Sequence, residues 1–371
     1  MARPFRPVLF VILVVHNDQL IQIETFLIVG RNQIDMNMKQ RLVPEQISLS
    51  NTVFEGNNNV FLLDGETTTL VDTGVSTPAV ATELERKLDE YGVSFNDIDN
   101  IFLTHWHHDH AGLAGEIQQA SGATVYAHSA DAPLIAGDDA SLLDEKQQQE
   151  AKFDEWAIPP GPRSELIAFL ETTLDIGGEP VSVTPIENGD QFDINGTPIE
   201  ALHLPGHSAG LTAYCFEGEA GTEAFVGDVI LPKYTPNVGG ADVRVDRPLE
   251  QYISSLLTVI DRDFDRVWPG HRQIITEPTA RAATIIKHHQ ERTARVVDVL
   301  SEHGPADVWT VSAELFGSLS NIHILHGPGE AYAHLDHLAA EGIVAHENRA
   351  YELIIENPDV ESLFPDVSAY L

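Results

Sequence analysis

The chain has 371 residues, 43% of them hydrophobic, and carries 57 Asp and Glu against 21 Lys and Arg for a net charge of −36. Such a length implies two domains, or three, and the apolar share is ample for a buried core. The charge leaves no basic stripe to hold a phosphate backbone, and the single cysteine, Cys215, excludes an internal disulfide framework and disfavours a thiolate metal site.

Residues 1–38 stand apart, with three arginines, three acids and all three methionines, Met1, Met36 and Met38. The apolar run 8–15 is too short to span a bilayer. Arg3 and Arg6 precede it, but no clear small-residue cleavage site follows. The expectation is a start at Met36 or Met38, with 1–38 a non-native or disordered extension; N-terminal sequencing of native protein that returns Ala2 contradicts it.

Residues 51–54, 59–63 and 68–71 read as successive strands, with Asp64-Gly65 as a hairpin turn. Residues 77–91 have helical period. Residues 100–104 form a strand that runs into THWHHDHAG, after which a helix begins at Ala111. Read as HxHxDH, this run sets His105, His107, Asp109 and His110 at a strand-to-helix junction, where open-sheet α/β proteins place their chemistry. Imidazole nitrogen and carboxylate oxygen are good ligands for a divalent ion such as zinc. His105 and His107 point one way and Asp109 and His110 the other, so one turn can feed two metal sites. The flanking strand and helix set the cluster apart from a histidine-rich tract.

Residues 124–127 are a further strand. Residues 132–174 are rich in Gln, Glu and Asp with scattered large apolar side chains, and fit two or three helices broken at Pro159-Pro160-Gly161-Pro162. This is an insertion, either over the site or a solvated decoration. Residues 181–185 and 194–202 resume the sheet. HLPGHSAG (203–210) follows, and its Pro205-Gly206 turn swings His207 out of the strand end. Cys215 lies in an apolar strand, 211–216, as a small core residue. AFVGD (224–228) is an apolar run ending in Asp228, and after a helix at 247–262 RVWPGH (266–271) repeats the device of strand, Pro-Gly and histidine at His271.

Asp72 in LVDTG, the HxHxDH run, His207, Asp228 and His271 occur in the order and context of the metallo-β-lactamase superfamily, which the chain resembles from about residue 51 to 271. Within it, THWHHDHAG and LPGHSAG resemble the glyoxalase II branch and the β-lactamase-like endoribonucleases that carry a C-terminal winged helix. His107 stands where flavodiiron-type members have Glu, and Asp228 and His271, only 43 residues apart, leave no room for the large cap of the nuclease branch.

The resemblance implies an α/β (α+β) fold, an αββα sandwich with metals along one edge. It implies two Zn2+ per chain, Fe or Mn being possible. His105, His107 and His207 are expected to hold the first ion, and Asp109, His110 and His271 the second, with Asp228 bridging. Asp72 matches a position that orients the histidine loop through hydrogen bonds. His108 matches no ligand and is an exposed loop residue or a pocket contact; His203 is a satisfied histidine beside the site. The implied activity is hydrolysis of a thioester or related ester of a small molecule by a metal-bridged hydroxide, which Asp109 orients. Lys233, Tyr234, Asn237 and Arg244, just after Asp228, are candidate substrate contacts or solvated loop residues. The alternative is cleavage of single-stranded RNA by the same ions.

Residues 39–276 are thus read as the metallo-β-lactamase domain and 277–371 as a winged-helix-like domain: helices at 279–302, 309–315 and 329–341, then a hairpin at 343–355 turning at Glu347-Asn348. The would-be recognition helix 329–341 has Glu330, Asp336 and Glu341 and no Lys or Arg, so nucleic acid is a disfavoured partner. A structural role beside the active-site mouth or in a homodimer is expected instead. No membrane partner is expected, and one unpaired cysteine fits a reducing cytoplasm. The arginine-over-lysine bias (six lysines) and the acidic surface resemble those of proteins from salt-loving archaea.

Overall fold

A computed structural model describes residues 41–51, 56–173 and 178–371, and residues 41–371 belong to one compact unit. The expected extension 1–38 lies outside the described residues, as does most of the strand expected at 51–54.

Two sheets face each other. The first runs β1 (Glu45–Leu49), β2 (Asn58–Leu63), β3 (Thr69–Val71), β4 (Asn100–Phe102), β5 (Thr124–His128) and β6 (Val183–Ile186), in that spatial order. Its first three strands are antiparallel neighbours, and β3 to β6 are parallel. The second holds β7 (Gln191–Ile194), β8 (Thr197–His203), β9 (Thr212–Glu217), β10 (Thr222–Gly227) and β11 (Arg266–Pro269), in the order β11-β10-β9-β8-β7. Strand β1 precedes the first strand expected from the sequence.

Strand periodicity builds the layers. On β2, Phe61 and Leu63 face the second sheet, while Val60 and Leu62 face helices. On β10, Phe225 points between the sheets, and Ala224 and Val226 point outward. The interlayer is aromatic: Phe61 and Phe225 have ring centroids 4.9 Å apart, and Phe102 stacks on Tyr126 at 4.7 Å. Helices cover the outer faces. In chain order they are α1 (Pro78–Asp89), α2 (His108–Ala111), α3 (Ala114–Ser121), α4 (Ala132–Ile135), α5 (Asp139–Glu155), α6 (Pro160–Thr173), α7 (Pro248–Arg262), α8 (Pro278–His303), α9 (Val308–Phe316) and α10 (His323–Ala340). Residues of α1 and α3 pack on the first sheet, and residues of α7 and α8 on the second, which makes an αββα sandwich.

A separate core joins the insertion to the C-terminal helices. Phe153, Trp156 and Leu166 pack with Val296, Leu300 and Leu335, and Trp309 N–H donates to the Trp156 carbonyl at 3.0 Å. Helix α8 belongs to both this core and that of the second sheet. The hairpin β12 (Val344–Glu347) and β13 (Ala350–Leu353) closes the chain; Asn348 and Arg349 at its turn have φ of 50° and 69°. Helix α10 begins six residues before the expected 329 and passes through Pro328. Gly327 and Gly329 allow close packing there: a Cβ would meet Leu319 Cδ1 at 2.6 Å and Gly240 Cα at 2.2 Å. Among the described residues, no helix is long and apolar enough to cross a membrane.

Candidate metal centre

Four loops at the ends of β3, β4, β8 and β11, with the end of β10, bring the expected residues together. Asp72 follows β3 in a left-handed conformation, φ 58°, which a non-glycine residue adopts at some cost. That backbone aims its carboxylate under the histidine loop. One oxygen accepts from Thr104 N–H at 2.8 Å; the other accepts from Thr104 Oγ1 at 2.9 Å and from His110 Nδ1 at 2.8 Å. Gly270, in the second Pro-Gly turn, lies so close to the centre that a Cβ there would meet His110 Cε1 at 2.5 Å and Asp228 Oδ1 at 2.6 Å.

The hydrogen bonds fix which nitrogen of each imidazole carries its proton. A carbonyl only accepts, so His107 donates from Nε2 to the Ala241 carbonyl (3.1 Å), His207 from Nδ1 to that of Asn237 (2.8 Å) and His271 from Nδ1 to that of Asn57 (3.1 Å). His110 donates from Nδ1 to Asp72. Thr104 Oγ1 gives its proton to Asp72, so His105 Nδ1, 3.0 Å away, donates to it. In their neutral forms all five rings are left with a bare nitrogen turned inward.

These bare nitrogens converge. His107 Nδ1 is 2.9 Å from His105 Nε2 and 3.1 Å from His207 Nε2. Lone pairs at such distances repel unless a cation lies among them. The second group is His110 Nε2, Asp109 Oδ2 and His271 Nε2, with Asp109 Oδ2 at 3.8 Å from His110 and 3.5 Å from His271. Asp228 reaches both: Oδ2 is 3.8 Å from His207 Nε2 and 3.5 Å from His271 Nε2, and Oδ1 is 3.7 Å from His110 Nε2. His110 Nε2 and Asp228 Oδ1 are buried without a hydrogen-bond partner. Zinc bonds such atoms at about 2.0–2.2 Å, which sets ligand atoms on one ion at spacings of this order. The residues fit two divalent ions.

Electrostatics agree. Burial disfavours a charge on His110, but Asp109, Asp228 and Asp72 outweigh it and push its pKa up to about 10. His271 is raised likewise by Asp228 and Asp109 against burial. Burial also opposes ionisation of Asp109 and Asp228, yet the neighbouring histidines hold both below the ordinary carboxylate value. His105, buried beside His110 and His107, is well below the usual imidazole range, and His107 falls to about 3 through burial and His207. Protons and metal cations compete for this excess of negative charge.

Residues that carry no motif support the ligands. Asn58 Nδ2 donates to Asp109 O at 2.8 Å and to its Oδ2 at 3.1 Å, and Asn51 Nδ2 donates to Asn58 Oδ1 at 2.9 Å. Asp131 and Asp242 accept from Trp106 N–H and Trp106 Nε1, each at 3.2 Å, and so hold the loop between His105 and His107. Nothing local marks these four in the sequence.

The centre floors a cavity of about 840 Å³ whose walls include Gln149, Phe169 and Leu170 of the insertion and Ile322, Leu325 and His326 of the C-terminal region. The insertion is therefore a cover over the site. Lys233, Tyr234 and His108 line this cavity. His203 lies outside it, stacked on His128 at 3.9 Å with Nε2 2.8 Å from the Ala209 carbonyl. Two candidate substrate contacts are corrected. Arg244 does not line the cavity: its guanidinium meets Asp131 at 2.6 Å, Asp242 at 2.5 Å and the Ala130 carbonyl at 2.7 Å. Asn237 donates to His326 O at 3.0 Å and Glu330 Oε2 at 3.3 Å, and holds His207 through its own carbonyl.

Asp72→Asn replaces one acceptor oxygen by a donor and breaks the contact to Thr104 or to His110. Metal affinity is expected to fall about 10- to 100-fold with the fold retained. Chelator competition on folded protein checks this, and an unchanged affinity removes the orienting role.

A model of the metallo-beta-lactamase superfamily matches residues 53–271. "Probable metallo-hydrolase YqjP" of Bacillus subtilis is 29% identical over 299 residues, covering 76% of this chain and 88% of that protein. "Thioesterase pkgB" of Emericella nidulans is 24% identical over 278 residues, 75% of this chain and 62% of its own. Among solved structures, a metallo-beta-lactamase family protein from Thermus thermophilus superposes with TM-score 0.70 at 28% identity, over 84% of this chain and 98% of the other.

Proposed function

The chain belongs to the metallo-beta-lactamase superfamily and is a metal-dependent hydrolase, and on that premise we propose that it cleaves a thioester or related ester of a small molecule. In this reading His105, His107 and His207 hold one ion, Asp109, His110 and His271 a second, and Asp228 serves both. Two zinc ions per chain are the expected complement. When bound, the ions would supply an ionised water near neutral pH and polarise the scissile carbonyl. The single observation that carries the proposal is the convergence of five imidazole nitrogens and two carboxylates on the floor of a cavity of about 840 Å³.

The chain's own groups do the rest. Asp109, its Oδ2 held by Asn58 and the carboxylate kept ionised by His110 and His271, is the acceptor that turns the attacking water toward the carbonyl. Trp106, Phe169, Leu170, Ile322 and Leu325 give the acyl part an apolar wall and exclude water from it. Apart from Asp109 and Asp228, the formally charged groups lining the cavity among the described residues are cations: Lys233, Arg272 and Arg281, together with Arg292, whose charge is already matched by Glu330. Lys233 and Arg272 flank the Tyr234 ring at 5.2 Å and 4.7 Å from its centroid. In a chain of net charge −36 this concentration favours a substrate with an anionic group beyond the scissile bond. A thioester suits the pocket, and pkgB, a relative, is named a thioesterase.

The same order of elements as a winged helix, with no Lys or Arg in α10, supports a structural role for the C-terminal region rather than a nucleic-acid reader. The test is zinc-loaded protein assayed on a thioester, a lactone and single-stranded RNA. Thioester turnover that disappears in His107→Ala is expected. RNA cleavage alone transfers the site to the endoribonuclease reading, and inertness on all three sinks both.

A further inference from the structure

The carbonyls that hold His107 and His207 come from one loop, residues 237–241. Asn237 O accepts from His207 Nδ1 at 2.8 Å, and Ala241 O accepts from His107 Nε2 at 3.1 Å. Both histidines belong to the group formed with His105. A loop that orients two of three ligands must itself be held, and this one is held from outside the sandwich.

The holder is α10. Glu330, 3% exposed, accepts through Oε2 from Val238 N–H at 3.2 Å and from Asn237 Nδ2 at 3.3 Å. Asn237 Nδ2 also donates to the carbonyl of His326 at 3.0 Å, and Asn237 Oδ1 accepts from Gly240 N–H at 3.1 Å. One turn along, the helix backbone touches the loop backbone directly. A Cβ on Gly329 would lie 2.2 Å from Gly240 Cα, so no larger residue fits without moving the loop.

Glu330 is anchored in turn. Its Oε1 pairs with the Arg292 guanidinium of α8. His289 Nδ1 and His334 Nε2 each lie 3.7 Å from the same oxygen and 3.4 Å from each other. Three donor atoms so placed have the spacing of a metal site. Arg292 already neutralises the only carboxylate, however, so the cluster is balanced without a further cation.

We propose that Glu330 and Gly329 are positioning residues for the His105–His107–His207 group, clamping the 237–241 loop so that its carbonyls hold the two ring N–H groups. The C-terminal helices thereby take part in assembling the metal centre as well as walling the cavity. The inference rests on the two-ion reading above.

Zinc binding by the full chain, measured by chelator competition, tests both and keeps them apart. Wild-type protein that fails to bind two ions overturns the two-ion reading itself. Given two ions in the wild type, folded Glu330→Gln and Asn237→Ala are each expected to bind one ion about 10- to 100-fold more weakly and the other as before. In metal-free Asn237→Ala the His207 Nδ1 proton, followed by NMR, is expected to exchange faster with water than in the wild type. Should Glu330→Gln not fold, Asn237→Ala decides, because it leaves the Arg292–Glu330 pair intact. Wild-type affinity at both ions in folded variants, or equal weakening of both, overturns the clamp.

Discussion

Asp228→Asn is expected to cut turnover by about a thousandfold, or about 4 kcal/mol of transition-state stabilisation, and to lower the affinity for both ions. The reason is position. The Asp228 oxygens approach both groups, lying 3.8 Å from His207, 3.5 Å from His271 and 3.7 Å from His110. The amide keeps the shape, so the αββα core around β10 survives. It loses the charge that two cations need, and its NH2 turns a donor toward nitrogens or cations that require an acceptor. A His207→Ala variant, by contrast, is expected to lose one ion and leave the other in place. Metal content per folded chain, read beside kcat, separates these results. Retention of two tightly held ions and near wild-type turnover in Asp228→Asn would remove it from the centre.

Arg244→Ala is expected to destabilise the fold by about 3–5 kcal/mol at pH 8, the usual cost of leaving buried charges without their partner. Asp131 and Asp242 are essentially inaccessible, and the Arg244 side chain is only 15% exposed. The loss has a pH signature. Burial, helped by Asp242, pushes Asp131 up to about 6 even with Arg244 beside it, while Arg244 holds Asp242 below its ordinary value against burial. An acid raised in the folded state keeps a proton the unfolded chain has released, so its contribution is full below about pH 4 and is lost as pH rises through about 6. Without the guanidinium Asp131 rises further and Asp242 loses the cation that holds it down. The penalty of Arg244→Ala therefore shrinks on going from pH 8 to pH 5, where protonation replaces the missing cation. Denaturant unfolding at the two pH values checks this. A variant of unchanged stability but raised KM would restore Arg244 as a substrate contact.

Each of the seven proposed ligands was legible because its own few neighbours announce it. A short apolar strand ending in HxHxDH, in Pro-Gly-His or in Gly-Asp puts the donor at a strand end, whatever lies elsewhere in the chain. Alternation along β2 and β10 likewise carries the two-faced burial that makes a four-layer sandwich. Asp72 was legible only in company, since Asp-Thr-Gly alone is an ordinary turn. The insertion could be seen as an insertion, but its place over the site needed Trp156 and Leu166 to meet the C-terminal helices.

Short stretches of the chain carry the proposed donor set and the strand-and-turn grammar that presents it, because turn chemistry and periodicity act over a handful of residues. Tertiary structure alone decided what each loop residue is for. Arg244 sits in the chain where a substrate contact was expected, yet it meets Asp131, 113 residues away. Asn237 meets Glu330, 93 residues on, and Asp109 leans on Asn58, 51 residues before it. Charge pairing and hydrogen bonding at such separations depend on which surfaces the layers bring together, and no local pattern of residues encodes that.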